Sequence, residues 1–194
     1  MKRLLPLLLG FLTACGGDSP RLEVSGDVER CKERLASIHE ALSAFGKKAG
    51  HAPQSSGVGF LAELITSGIL ADTPENRALL TCPGKGAEAV PEGTDYNKLT
   101  DLNGSHSAYA GRNARSHPLS SYPYGGRDVG PVVACDNAGG MNHDGVMNAL
   151  FSDGSIRTYV IEELIERGEL EAGTTTIEIG PDCAIEDLRV LTKD

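Results

Sequence analysis

The sequence predicts an α+β fold in which a long N-terminal helix packs on an antiparallel sheet. Three observations favour it. Apolar residues recur at steps of three and four near the start of the chain, the second half turns to short apolar runs, and Asp153-Gly154 separates two of those runs. Helical patterns followed by strand patterns are typical of α+β proteins, because alternating units would predict a parallel sheet.

The chain opens with a pattern typical of an export signal. Lys2 and Arg3 precede an uncharged, largely apolar run from Leu4 to Ala14, which is too short to cross a bilayer as a helix. The segment Leu12-Thr13-Ala14-Cys15 resembles the bacterial lipobox. The resemblance implies cleavage before Cys15 and a diacylglycerol on its sulfur, which would anchor the protein to a membrane.

Three parts of the chain follow from this reading. Residues 1–14 are predicted to be a lipoprotein signal peptide, residues 15–26 a flexible tether and residues 27–194 one head domain. The formal net charge of −9 becomes −11 without Lys2 and Arg3. A chain with this much negative charge is not expected to bind nucleic acid or anionic lipid. Its attachment to a membrane must therefore come from the lipid anchor.

The first helix is predicted from Asp27, which can cap its start, to Gly50, which can end it. His39 falls one step off the apolar stripe and is expected to be solvated. The stripe comprises Val28, Cys31, Leu35, Ile38, Leu42 and Phe45.

Two shorter helices should follow. Gly59 to Ser67 has an apolar face and is followed by Gly68 as a stop signal. Thr73-Pro74 reads as an N-cap followed by proline at the first helical position, and this helix should end before Cys82-Pro83.

The remaining elements are predicted strands and one short helix. Asp153-Gly154 indicates a hairpin with a type I′ turn, in which both central residues have positive φ. A last hairpin around Cys183 is predicted from Thr174–Ile179 and Leu188–Leu191. The other predicted segments are strands at Ser107–Gly111, Pro131–Cys135, Val146–Ser152 and Ser155–Val160, and a helix at Ile161–Gly168.

Four cysteines remain beyond the lipidation residue, namely Cys31, Cys82, Cys135 and Cys183. An even number in an exported chain predicts at least one disulfide, and three pairings are open. The cysteines form no Cys-x-x-Cys pair, which argues against a structural zinc site, and no metal site is predicted from them.

One segment carries a family resemblance. His143 is followed by nine residues and then by Asp153-Gly154, and this stretch includes an Asn-Ala-Leu-Phe-x-Asp-Gly core. This resembles the prepilin-type, processing-associated H-x9-DG domain of type II secretion pseudopilin-like proteins. Cys31–Ile38 resembles the opening of that family's first helix, and Cys82-Pro83 resembles its Cys-Pro. The motif residues are Asn142, His143, Asn148, Asp153 and Gly154.

The resemblance implies a pseudopilin-like head with a structural motif. A pseudopilin also carries a Gly-Phe-Thr-Leu-x-Glu signal and a long apolar assembly helix, and this chain has a lipobox and a tether instead. The expected function is therefore that of a non-enzymatic lipoprotein of the cell envelope, facing the periplasm or surface from the outer membrane. It would act by contacts with envelope proteins, by analogy those of type II secretion or pilus-like machinery.

Two chemical alternatives stay open. A small exported metal-dependent hydrolase would use Asp136, His143 and Asp144, and it requires that these side chains converge in one pocket. A calcium ion is a weaker alternative, because Asp136, Asn137, Asn142 and Asp144 offer oxygen ligands in one loop. No other cofactor is expected.

Overall fold

The computed structural model describes residues 26–124, 129–135 and 141–194. The predicted signal peptide, Cys15 and the tether up to residue 25 lie outside the described residues, as does Asp136. Within the described ranges, no helix has the length and apolar character needed to cross a membrane. The described part is an α+β structure, as the sequence predicts.

The long first helix, α1, spans Gly26–Ala49. Its buried side includes the whole predicted apolar stripe. Gly50 ends the helix with a φ of 78°, a conformation that glycine adopts without steric cost, and its N–H donates to the carbonyl of Gly46. Asp27 lies inside the first turn instead of capping it, and its buried carboxylate has other partners.

The next two helices also match the predictions. Helix α2 spans Val58–Thr66 and buries nearly all its residues, and Gly68 follows it with a φ of 70°. Helix α3 spans Pro74–Leu79, and the Thr73 side chain accepts a hydrogen bond from the N–H of Asn76.

Five strands form one antiparallel sheet, and they are β1 Tyr109–Arg112, β2 Pro131–Cys135, β3 Val146–Phe151, β4 Ile156–Val160 and β5 Leu191–Thr192. Their order across the sheet is β4-β3-β2-β1-β5. Helix α1 packs on β3 and α2 packs on β1, so the core lies between these helices and the sheet. Helix α4, Ile161–Glu166, follows β4 directly.

The predicted hairpin joins β3 to β4, but its turn is not type I′. Gly154 has a φ of 90°, whereas none of the described non-glycine residues, Asp153 included, has a positive φ. The N–H of Gly154 donates to the carbonyl of Phe151, and the Asp153 carboxylate accepts from the N–H and hydroxyl of Ser155. The side-chain bond stabilises a longer turn with a single left-handed residue.

The predicted last hairpin is wrong. Residues 174–179 form no strand, and β5 pairs with β1 instead. Leu188, predicted to lie in a strand, is buried in a 3-10 helix, Glu186–Val190. Ile177 is buried as a single side chain in the core, which satisfies the apolar pattern without a ladder.

Candidate metal centre

Four side chains with metal-binding atoms meet in the core of the described structure. Cys31 is on α1, Cys82 follows α3, Cys135 ends β2 and His143 precedes β3. Their exposed fractions are 0%, 5%, 1% and 1%. We call these four residues the CCCH cluster. It lies where α1 meets the sheet, and its members come from four separate segments.

The ligand atoms of the CCCH cluster are close enough to share one ion. All four lie within 4.8 Å of one another. The sulfurs of Cys31 and Cys82 are 3.9 Å apart, and the Cys82 sulfur is 3.2 Å from His143 Nε2. A tetrahedral zinc ion would hold such atoms about 3.5–3.8 Å apart, given a Zn–S distance of about 2.3 Å and a Zn–N distance of about 2.0 Å.

The imidazole of His143 is oriented by a carboxylate. Its Nε2 faces the cluster sulfurs, while Nδ1 lies 3.2 Å from Oδ2 of the buried Asp27. The same oxygen of Asp27 accepts the N–H of Lys85. In the neutral ring, a carboxylate on Nδ1 favours the tautomer with its proton there, which leaves the Nε2 lone pair directed at the cluster.

Two sulfurs accept backbone hydrogen bonds. The N–H of Asn148 donates to Cys135 Sγ at 3.0 Å, and the N–H of Gly84 donates to Cys82 Sγ at 3.4 Å. The Tyr109 hydroxyl lies 3.7 Å from Cys31 Sγ. Donors directed at sulfur favour negative charge on it, and the thiolate is the form that binds metals.

A glycine brings the Cys82 segment onto the histidine. A Cβ on Gly84 would overlap the carbonyl of Asn142 and would lie 2.9 Å from Cε1 of His143. The N–H of Gly86 donates to the Asn142 carbonyl at 3.0 Å, which continues the close approach. The sequence Cys-Pro-Gly therefore closes over the imidazole because its third residue has no side chain.

Hydrogen bonding and burial shift the pKa values of the thiols and the imidazole in the CCCH cluster. Hydrogen bonds from Cys135 and then from Cys82 hold the pKa of the Cys31 thiol well below its usual range, against the effect of burial. Burial raises the pKa of Cys135. Burial also works against the charge on His143, but hydrogen bonds with Cys31 and Cys82 outweigh it and raise its pKa to about 10.

The predicted disulfide residues divide into two places. Cys31, Cys82 and Cys135 are in the CCCH cluster, and Cys183 is buried outside it. Cys31, Cys82 and Cys135 are reduced thiols in the structure, so none of the three pairings is formed there, and the disulfide stays a prediction. If two of the three cysteines in the CCCH cluster formed a disulfide, the third would remain a thiol.

The residues of the two chemical alternatives do not converge within the described chain. His143 is buried, whereas its neighbour Asp144 is exposed. Asn142 is buried too, and its amide donates to the carbonyl of Ala108. Asp136 and Asn137 lie outside the described residues. Neither the hydrolase nor the calcium site gains support from these positions.

The remaining motif residues make contacts within the fold. Asn148 is fully buried, where its amide donates to the carbonyl of Val28 on α1 and its oxygen accepts the hydroxyl of Thr158. Asp153 and Gly154 form the turn after β3. These residues fasten the strand to its neighbours, and none of them is among the four metal-binding side chains of the CCCH cluster, although the N–H of Asn148 donates to Cys135 Sγ.

Sequence reasoning missed the CCCH cluster because its members are far apart in the chain. Cys31 and Cys82 are 51 residues apart, and Cys82 and His143 are 61 apart, so short metal-binding spacings are absent. A signal was nevertheless present. Three separate pieces of the family resemblance each contain a ligand-type residue, namely Cys31, Cys82 and His143.

The chain matches no protein-family model, no curated protein and no solved structure. The resemblance to the H-x9-DG domain therefore rests on the quoted motifs and remains a prediction.

Proposed function

We propose that this protein is a non-enzymatic lipoprotein of the bacterial cell envelope, whose α+β head acts through contacts with other envelope proteins. Cys15 would carry the lipid, residues 15–26 would give reach, and the head would present its surface to a partner. Two acyl chains on one cysteine suffice for stable membrane attachment. The link to type II secretion or pilus-like machinery follows from the H-x9-DG resemblance alone.

The observation that carries the non-enzymatic part is the burial of the CCCH cluster. It is the one grouping of three or more His, Cys, Asp or Glu ligand atoms within the described ranges, and each member is at most 5% exposed. A catalytic metal centre needs access for substrate and an open position for a reacting group. A sealed cluster between a helix and a sheet stabilises the fold instead.

The lipid anchor is tested by labelling. Cells producing the full chain are grown with an alkyne-bearing palmitate, and the purified protein is examined for label. We expect label on the natural protein, none on Cys15→Ala and undiminished label on Cys183→Ala, which also removes a thiol. Equal labelling of Cys15→Ala would contradict the anchor.

The protein contacts are tested by cross-linking the membrane-bound protein in its own cells, followed by mass spectrometry. Secretin or pseudopilin neighbours would support the secretion-linked proposal. Recovery of the protein without any envelope neighbour would count against it.

A further inference from the structure

We propose that the head domain binds one zinc ion in the CCCH cluster, in a closed structural site that fastens the start of α1 to the sheet. The four ligand atoms belong to Cys31, Cys82, Cys135 and His143. The site is an addition to the proposed function, since a lipoprotein head could act by contacts with or without a metal.

The donor set selects the ion. Three soft thiolates and one imidazole suit zinc, whereas calcium and magnesium require oxygen ligands. Four ligands in a buried place complete a tetrahedron and leave no position for water, as in structural sites. The observed separations of 3.9 Å and 3.2 Å between ligand atoms are close to tetrahedral zinc edges.

The surroundings supply what a metal-bound histidine and thiolates need. Asp27 holds Nδ1 of His143, which is the common arrangement around a zinc-bound imidazole. The N–H groups of Asn148 and Gly84 donate to two of the sulfurs. Three thiolates, one neutral imidazole and a divalent ion leave a single negative charge, which these donors face.

A disulfide explains less of the same geometry. A bond between Cys31 and Cys82 would need their sulfurs about 2.05 Å apart, against the 3.9 Å observed. It would leave Cys135 and His143 buried without a common role. It would also give no reason for the imidazole nitrogen to face the Cys82 sulfur while the carboxylate of Asp27 holds the other ring nitrogen.

Metal content is the first test. The full chain is produced in a bacterial host, exported, extracted in detergent without chelator and passed through gel filtration. Elemental analysis by mass spectrometry should find about one zinc ion per chain. A protein without zinc, whose intact mass is two hydrogens short and whose peptides show a link between Cys31 and Cys82, would overturn the proposal.

Variants locate the ion. Cys135→Ser should lower the zinc content at least tenfold, and Cys183→Ser should leave it unchanged, because Cys183 is buried outside the cluster. His143→Cys should retain zinc, since it replaces one ligand by another, whereas His143→Ala should lose it. Equal zinc in Cys135→Ser and the natural protein would contradict the site.

Cobalt gives a readout that does not depend on variants folding. Co²⁺ exchanged into the natural protein should show intense sulfur-to-cobalt charge-transfer absorption and the strong visible bands of a tetrahedral site. A weak spectrum typical of six oxygen or nitrogen ligands would contradict the assignment.

Asp27→Asn should weaken metal affinity about 10–100-fold, because Asp27 positions the imidazole without binding the ion.

Discussion

The two ends of strand β3 hold helix α1 by different means. Before the strand, His143 contacts Asp27 of α1 and faces the sulfurs of the CCCH cluster. After the strand, Gly154 has no side chain, and the ring of His39 from α1 packs against it. A Cβ on Gly154 would lie only 2.5 Å from Cε1 of that ring. One end is a chemical site and the other is a steric fit.

This difference gives the H-x9-DG spacing a physical meaning. The residues between His143 and Gly154 are essentially strand β3, Val146–Phe151, with short connections on both sides. A side chain that can bind a metal is needed at the His143 end of the strand, and the absence of any side chain is needed at the Gly154 end. We therefore expect the two ends to respond differently to metal, to added side chains and to salt or acid.

The largest effect is expected at the cluster end, on removing the metal. Structural zinc sites contribute about 10–16 kcal/mol of apparent binding free energy, which is comparable with the whole stability of a domain, about 5–15 kcal/mol. Chelation should therefore abolish cooperative thermal unfolding followed by circular dichroism, and added zinc should restore it. An unchanged melting temperature after complete removal of zinc would sink this prediction.

The second effect concerns the close approach over His143. Gly84→Ala places a Cβ against the Asn142 carbonyl and the imidazole, so we expect a loss of about 1–3 kcal/mol of unfolding free energy in urea titrations. Gly26→Ala is the matched control, because a Cβ there meets nothing within 4 Å. Equal effects of the two substitutions would show that the Gly84 contact is loose.

The third effect concerns the steric end. Gly154→Ala and Gly173→Ala both place alanine at a φ close to 90°, which costs about 1–2 kcal/mol, but a Cβ on Gly173 meets nothing. Gly154→Ala must also displace His39, whose Nδ1 lies 2.8 Å from the Tyr122 hydroxyl, so it should cost about 1 kcal/mol more. In a chain that also carries His39→Ala, Gly154→Ala should cost no more than Gly173→Ala. An excess that persists there would refute the contact.

The smallest effect is expected at the exposed turn. Asp153→Ala removes an acceptor for Ser155 and should cost less than about 1 kcal/mol. The hydroxyl of Ser155, with its backbone N–H, lowers the pKa of Asp153 below the ordinary 3.8. The Asp153 carboxylate therefore contributes to stability above about pH 4, and this contribution is lost as the pH falls below that value. Urea titrations at pH 7 and pH 3 should show that the difference in unfolding free energy between the natural protein and Asp153→Ala shrinks in acid.

Local patterns in the sequence predicted most elements of the fold. The stripe of α1, the Thr73 cap and the Asp153-Gly154 hairpin depend on residues a few positions apart, where propensity and periodicity act directly. The turn type was wrong because the Asp153 carboxylate bonds to Ser155 and stabilises a longer turn. Strand β5 was misassigned because its partner, β1, lies far away in the chain.

The candidate site could not be predicted in the same way. Its ligands come from a helix, a loop, the end of a strand and the approach to another strand, and only the packing of α1 on the sheet brings them together. Cys183 shows the limit of counting, since the four cysteines beyond Cys15 are divided into three in the CCCH cluster and one elsewhere. The usable signal was that three separate pieces of the family resemblance each contain a ligand-type residue, namely Cys31, Cys82 and His143.

X-ray absorption at the zinc edge of the purified full chain would show whether this core contains the proposed sulfur-rich zinc site. We expect three sulfur neighbours at about 2.3 Å and one nitrogen at about 2.0 Å. A first shell of oxygen and nitrogen alone, or a protein that takes up no zinc, would contradict it.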